Sequence, residues 1–162
     1  MLVAVLMVFS SCSQTTPLNT PTLYINLQQE GEADQRVPAI WCGGVWQGPV
    51  ATNMYEIFHP LQLYPIHFEG HTIYSYNRNA RITLEFDPSF WPDYMEILKW
   101  NADYARYTHS YNNEWLQQLQ VVEASNGYFY VYNNGVDYIF DITALWTQTL
   151  SVAIYTFRLI NN

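Results

Sequence analysis

The stretch His67-Phe68-Glu69-Gly70-His71, with His59 a short way upstream, sets two imidazoles beside a carboxylate, the side chains that ligate transition metals. The spacing argues against a metal. With Glu69-Gly70 as a two-residue hairpin loop, Phe68 faces His71 and His67 faces Thr72, so the two imidazoles point to opposite faces of the ladder. Gly70 and the β-branched residues after it oppose the helix that would align them. The ligand count then falls short, and no metal or cofactor is expected. His109, between Thr108 and Ser110, reads as a surface residue. Asp137 and Asp141 lie four apart on one strand, hence on one face but about 13 Å apart by strand rise, too far for a glycosidase pair. No Gly-x-Ser-x-Gly, phosphate loop or nucleophile with an adjacent base occurs, so the sequence does not read as an enzyme.

The aromatic content is more informative, at 17% Phe, Trp and Tyr with 14 tyrosines. Tyr128, Tyr130 and Tyr132 fall on one face of one strand, and the same reading places Glu123, Asp137 and Asp141 beside them. Flat rings flanked by acids stack on a sugar while accepting hydrogen bonds from its hydroxyl groups. They equally suit a barrel wall around an amphipathic molecule, or tyrosine used simply as a β-former with a wet tip.

The elements that position these residues are read from turns. Asn126-Gly127 and Asn134-Gly135 are dipeptides that take the positive φ angles of a type I′ hairpin, and β-formers flank both. Two hairpins sharing a strand set Ser125 opposite Tyr128 and Asn133 opposite Val136, with strands over about 116–125, 128–133 and 136–143. One face then collects Val122, Ala124, Phe129, Val131, Tyr138, Phe140 and Ile142 as core. The other collects Val121, Glu123, Ser125, the three tyrosines, Asp137, Ile139 and Asp141. Upstream, 61–68, 71–76 and 81–86 read as a meander of strands, and 149–159 as a closing strand. Asp93, with Glu96 three residues on and Ile97, Trp100, Tyr104 and Tyr107 at helical spacing, predicts a helix over about 93–107. The competing reading is a turn at Asn101-Ala102-Asp103 between strands.

At the N-terminus, eleven residues rich in apolar side chains precede Cys12, about half the length needed to span a bilayer. The run closes on Ser10 and Ser11, and the chain after the cysteine turns polar, as a tether does. Phe9-Ser10-Ser11-Cys12 resembles the lipobox of bacterial lipoproteins. That resemblance implies a signal peptide over 1–11, a lipidated Cys12 with a tether over 12–22, and a single β domain over 23–162. It places the protein in the cell envelope, on the periplasmic side or at the cell surface, outer membrane included. Lipidation leaves Cys42 without a partner among apolar neighbours, where a buried inert thiol is expected. With 6 Lys+Arg against 14 Asp+Glu, a formal charge of -8 repels a phosphate backbone, so nucleic acid is not a partner.

A series of short strands must close or cover its edges, so an up-and-down antiparallel meander closing as a small barrel is expected, with a β-sandwich as the alternative. Gly44-Val45-Trp46 matches the Gly-x-Trp of the first lipocalin strand, and Arg158 the arginine that packs across that tryptophan. The stretches 142–145, 150–152 and 155–158 are similar to the closing strands of lipocalin-like domains on bacterial lipoproteins. The resemblance implies barrel closure by Trp46 and Arg158. It also implies a small apolar or amphipathic ligand held on the inner face by Phe129, Val131, Tyr138 and Phe140. From a different class, a surface adhesion or glycan-recognition module uses the strip Tyr128, Tyr130, Tyr132 with Asp137. A third reading makes the domain a scaffold in an envelope assembly.

Overall fold

The computed structural model describes residues 20–48, 51–55, 68, 70–74, 79–102, 120–132 and 134–161. Their regular elements are the strands β1 (Tyr24–Gln28), β2 (Gln35–Pro38), β3 (Ile40–Gly48), β4 (Ala51–Tyr55), β5 (Thr72–Tyr74), β6 (Ala80–Glu85), β7 (Tyr94–Asn101), β8 (Gln120–Val121), β9 (Tyr128–Val131), β10 (Tyr138–Trp146) and β11 (Ser151–Ile160). A 3-10 turn covers Pro88–Phe90, and Asp87 caps it by accepting from the Ser89 amide at 2.9 Å. The fold is all-β. One sheet has the order β2-β1-β6-β9; the other runs β4-β3-β11-β10-β7-β8, with β5 added in parallel to the end of β11.

Alternation along the strands, strict in β1, β6 and β9, gives each sheet an apolar face. In the four-stranded sheet Ile25 and Leu27, Ile82 and Leu84, and Phe129 and Val131 turn inward. Tyr138, Phe140, Ile142, Ala144 and Trp146 of β10 meet them from the larger sheet, with Ala153, Tyr155, Phe157 and Leu159 of β11. The two faces share one core, as in a sandwich. Phe140 stacks on Phe157 at 4.7 Å between centroids and lies 5.5 Å from Phe129 of the opposite sheet. Phe86 sets its edge against Trp146 at 5.8 Å and Tyr155 at 5.7 Å.

The expected up-and-down meander is replaced by crossovers, and no closed barrel forms among the described residues. The Asn126-Gly127 turn forms as read, with φ 52° and 77° and Ser125 bridged to Tyr128 in both directions. Its arms then part: β8 pairs β7, while β9 pairs β6 in the other sheet. The second turn also differs. Only Gly135 takes a positive φ there, and β9 and β10 enter different sheets, so Asn133, itself outside the described residues, sets no hairpin register. Each turn connects layers because the core needs an apolar face from both sides. Parity along a strand survives that change. Phe129, Val131, Tyr138, Phe140 and Ile142 are therefore buried as expected, whereas Ala124 is exposed. The final strand, expected to close the sheet, lies in its middle between β3 and β10.

Over 94–101 the helix expected at 93–107 is strand β7, paired along its length with β10; residues 103–107 lie outside the described residues. The helical spacing of Ile97 and Trp100 arises because the larger sheet buries apolar residues on both faces. Ile97 points into the shared core and Trp100 into a second cluster with Cys42, Phe68, Ala102 and Ile139. Asp93 does not cap a helix. Its carboxylate accepts from the Thr147 amide at 2.7 Å and hydroxyl at 2.6 Å, clamping the turn between β10 and β11.

Cys42 is the extra residue of a bulge, since Trp41 lies opposite Tyr155 while Gly43 lies opposite Ile154. Beyond the bulge, Gly44 has φ +142°, and a Cβ there would come within 2.1 Å of the Val152 carbonyl oxygen. The glycine lets the β3 and β11 backbones close. Gly44→Ala should therefore cost at least about 2 kcal/mol in urea denaturation, through backbone clash and strain. Phe140→Ala should cost about 3–5 kcal/mol through the cavity it leaves.

Candidate functional site

The residues expected to line an inner ligand cavity pack against one another. Phe129 and Val131 are almost wholly buried, Phe140 is fully so, and Tyr138 lies 6.2 Å from Phe140 with its hydroxyl accepting from Asn134 Nδ2 at 2.6 Å. Lys99 Nζ sits 4.5 Å from the Tyr138 ring. These side chains are core.

The opposite parity of the four-stranded sheet forms a solvent-facing platform. Tyr24, Asn26 and Gln28 come from β1, Arg36 from β2, Arg81, Thr83 and Glu85 from β6, and Tyr128 and Tyr130 from β9. The registers put Asn26, Thr83 and Tyr128 in one row and Gln28, Arg81 and Tyr130 in the next. Strand alternation alone places these side chains outward, which is why residues far apart in the sequence converge here. Arg36 Nε donates to Glu85 at 2.8 Å, and the other Glu85 oxygen accepts from Asn26 at 3.2 Å. The guanidinium of Arg36 lies 3.6 Å over the Tyr24 ring and that of Arg81 lies 4.0 Å over Tyr128. Tyr128 in turn meets Tyr130 edge to face at 5.9 Å. Outermost are Tyr130 and Tyr132, 56% and 68% exposed.

At one end the platform runs into a cleft of about 720 Å³. Tyr24, Arg36 and Glu85 belong to both, and Thr20, Phe86, Asp87 and Phe90 complete much of its wall. Tyr155 fixes the entering chain by donating its hydroxyl proton to the Pro21 carbonyl at 2.6 Å, and Trp146 Nε1 holds the Phe90 carbonyl at 2.9 Å. Sequence reasoning found Tyr128, Tyr130 and Tyr132 by their spacing. It missed Tyr24, Arg36, Arg81 and Glu85, whose signal was the polar parity of two strands paired across a long sequence separation.

Asp137 does not join the strip. It accepts from Arg158 Nη2 at 2.9 Å and from the Asn161 amide at 3.0 Å, beside the larger sheet. Arg158 is tied there, six residues along β11 from Val152, whose partner Val45 is next to Trp46. That separation is about 20 Å at the rise of a strand, so the ladder holds Arg158 and Trp46 apart. Cys12, His59, His67, Glu69 and His109 lie outside the described residues. His71 Nδ1 is 2.8 Å from the Pro38 carbonyl, which can only accept, so that nitrogen carries the proton. Among the described residues no helix is long and apolar enough to cross a membrane.

On the outer face of the larger sheet, Asp141 stands between Leu98 and Thr156 in the ladder. Burial first, and Glu96 second, push its carboxyl up to about 7 against a bond from the Ile142 amide. Oδ1 has no hydrogen-bond partner among the described residues. Burial also pushes the Cys42 thiol up, with Asp141 adding to the effect, so the sulfur is an inert packing group.

Comparison with protein-family models found no matching family, and none of the curated proteins or solved structures compared with the chain matched it.

The raised carboxyl makes stability depend on pH. Because folded Asp141 holds its proton to about pH 7 while an unfolded aspartate releases it near 4, its contribution is lost as pH rises between these values. Asp141→Asn should flatten that part of the denaturation profile and be more stable than the parent above pH 7, by on the order of 2–4 kcal/mol.

Proposed function

We propose that this is a glycan-recognition module which binds its ligand on the outer face of the four-stranded sheet, and that it is held at the envelope by lipid on Cys12. The observation that carries the reading is the pair of largely exposed rings, Tyr130 at the end of the platform away from the cleft and Tyr132 just past the end of β9. Neighbouring exposed rings beside ordered polar side chains supply the aromatic-rich surface on which partners dock. The surroundings suit a sugar. Tyrosine rings stack on the C–H face of a pyranose, while Asn26, Gln28, Thr83 and Glu85 supply donors and acceptors at the spacing of adjacent strands. A cleft of about 720 Å³ at the other end of the platform, beside Tyr24 and Glu85, falls within the range of small-ligand sites. Because the apolar interior is occupied by its own rings, an enclosed lipocalin-like ligand site is not favoured.

A glycan array probed with the parent and with the Tyr130→Ala/Tyr132→Ala variant tests this. Both rings are exposed, so the variant should keep its melting temperature to within a few degrees and lose at least tenfold in affinity, about 1.4 kcal/mol. No binding by the parent to any glycan would remove the reading. The anchor is checked separately by mass spectrometry of the mature protein. A lipid-modified N-terminal Cys12 is expected, and an unmodified terminus upstream of it would refute the anchor alone.

A further inference from the structure

Arg81 is a cation on this face that no acid among the described residues neutralises. The chain carries only 6 Lys+Arg against 14 Asp+Glu, so a basic side chain has acids to choose from. Among the described residues Arg36 is paired with Glu85 and Arg158 with Asp137. Arg81 makes no such pair. Its guanidinium rests on the Tyr128 ring, its Nε is buried with no hydrogen-bond partner among the described residues, which leaves the terminal nitrogens as the donors for a ligand, and its ladder neighbours are Gln28 and Tyr130. Gln28 is turned to Asp34, to which its Nε2 donates at 3.1 Å.

Stacking on a ring fixes the plane of a guanidinium without satisfying its donors, and a planar, weakly hydrated fork is the group best matched to an oxyanion. Directly opposed side chains on neighbouring strands have their Cβ atoms about 5 Å apart. A pyranose stacked on Tyr130 therefore puts its substituents within reach of Arg81. We propose that the saccharide bound here is anionic, carrying a carboxylate or a sulfate ester, and that Arg81 reads this charge while Tyr130 carries the ring; the inference rests on the glycan reading above. Arg36 is not the reader, because Glu85 already holds it and would repel a second anion. Lys99, turned over Tyr138, does not belong to this face.

The test is calorimetric titration with two matched pairs, oligogalacturonate against its methyl ester and dextran sulfate oligomers against dextran. The charged member of at least one pair should bind tenfold or more tightly than its neutral counterpart, with the preference shrinking as salt is raised, and the responding pair identifies the oxyanion. Arg81→Gln should bring the charged member down to the neutral level, Arg81→Lys should keep part of the preference, and Lys99→Gln, an equal loss of charge elsewhere, should leave it whole. Equal binding within both pairs would overturn the inference and leave the glycan reading standing. Failure of both charged oligomers to bind, or a preference that survives Arg81→Gln, would also overturn it; failure of every glycan on the array would remove both readings.

Discussion

The fold depends on one constraint: the inward faces of two sheets must be buried against each other, and aromatic rings fill the space between them. Phe140 is the centre of that contact. It stacks on Phe157 within its own sheet and meets Phe129 of the other, while Phe86, Trp146 and Tyr155 form a second ring group at one end. Paired rings fill this part of the interior, and the cleft among the described residues lies outside it, at the edge of the four-stranded sheet. The same packing explains the crossovers. A turn such as Asn126-Gly127 closes locally as its dihedrals dictate, yet its arms go to different layers because each layer lacks half of the core without the other.

The two sheets differ in what covers their outer faces. The larger sheet carries Cys42, Phe68, Trp100, Ala102 and Ile139 in a second apolar cluster, so strands β7 and β10 bury side chains on both faces. Asp141 is caught in that setting. Desolvation there raises the carboxyl, a cost that Glu85 of the smaller sheet avoids through its pair with Arg36. The four-stranded sheet therefore presents a broad polar and aromatic surface among the described residues.

That surface is ordered by contacts within it. Arg36 is held between Tyr24 and Glu85, Glu85 is shared with Asn26, and Arg81 lies on Tyr128, which touches Tyr130. Each exposed pair is worth little in stability, and the effect is positional. A ligand meeting this face meets side chains whose rotamers are already restricted, which lowers the entropy lost on binding.

The residues alone determined what each strand would bury. Alternation at 128–132 and 138–142 separates Phe129, Val131 and Phe140 from Tyr128, Tyr130 and Tyr132 without reference to any partner, because side-chain parity belongs to the strand itself. The Asn126-Gly127 turn was equally local, a matter of two residues that tolerate positive φ. Pairing was not local. Nothing near Tyr130 announces Arg81, and nothing near Asp137 announces Arg158; the first pair meets through a ladder between segments some fifty residues apart, the second at the far end of β11. Spacing misled where both faces were buried, since Ile97 and Trp100 imitate a helix when each packs on its own side. Which rings became core and which became surface was thus written along the strands, whereas which charges stand beside those rings was decided only when two sheets chose their neighbours to bury one core.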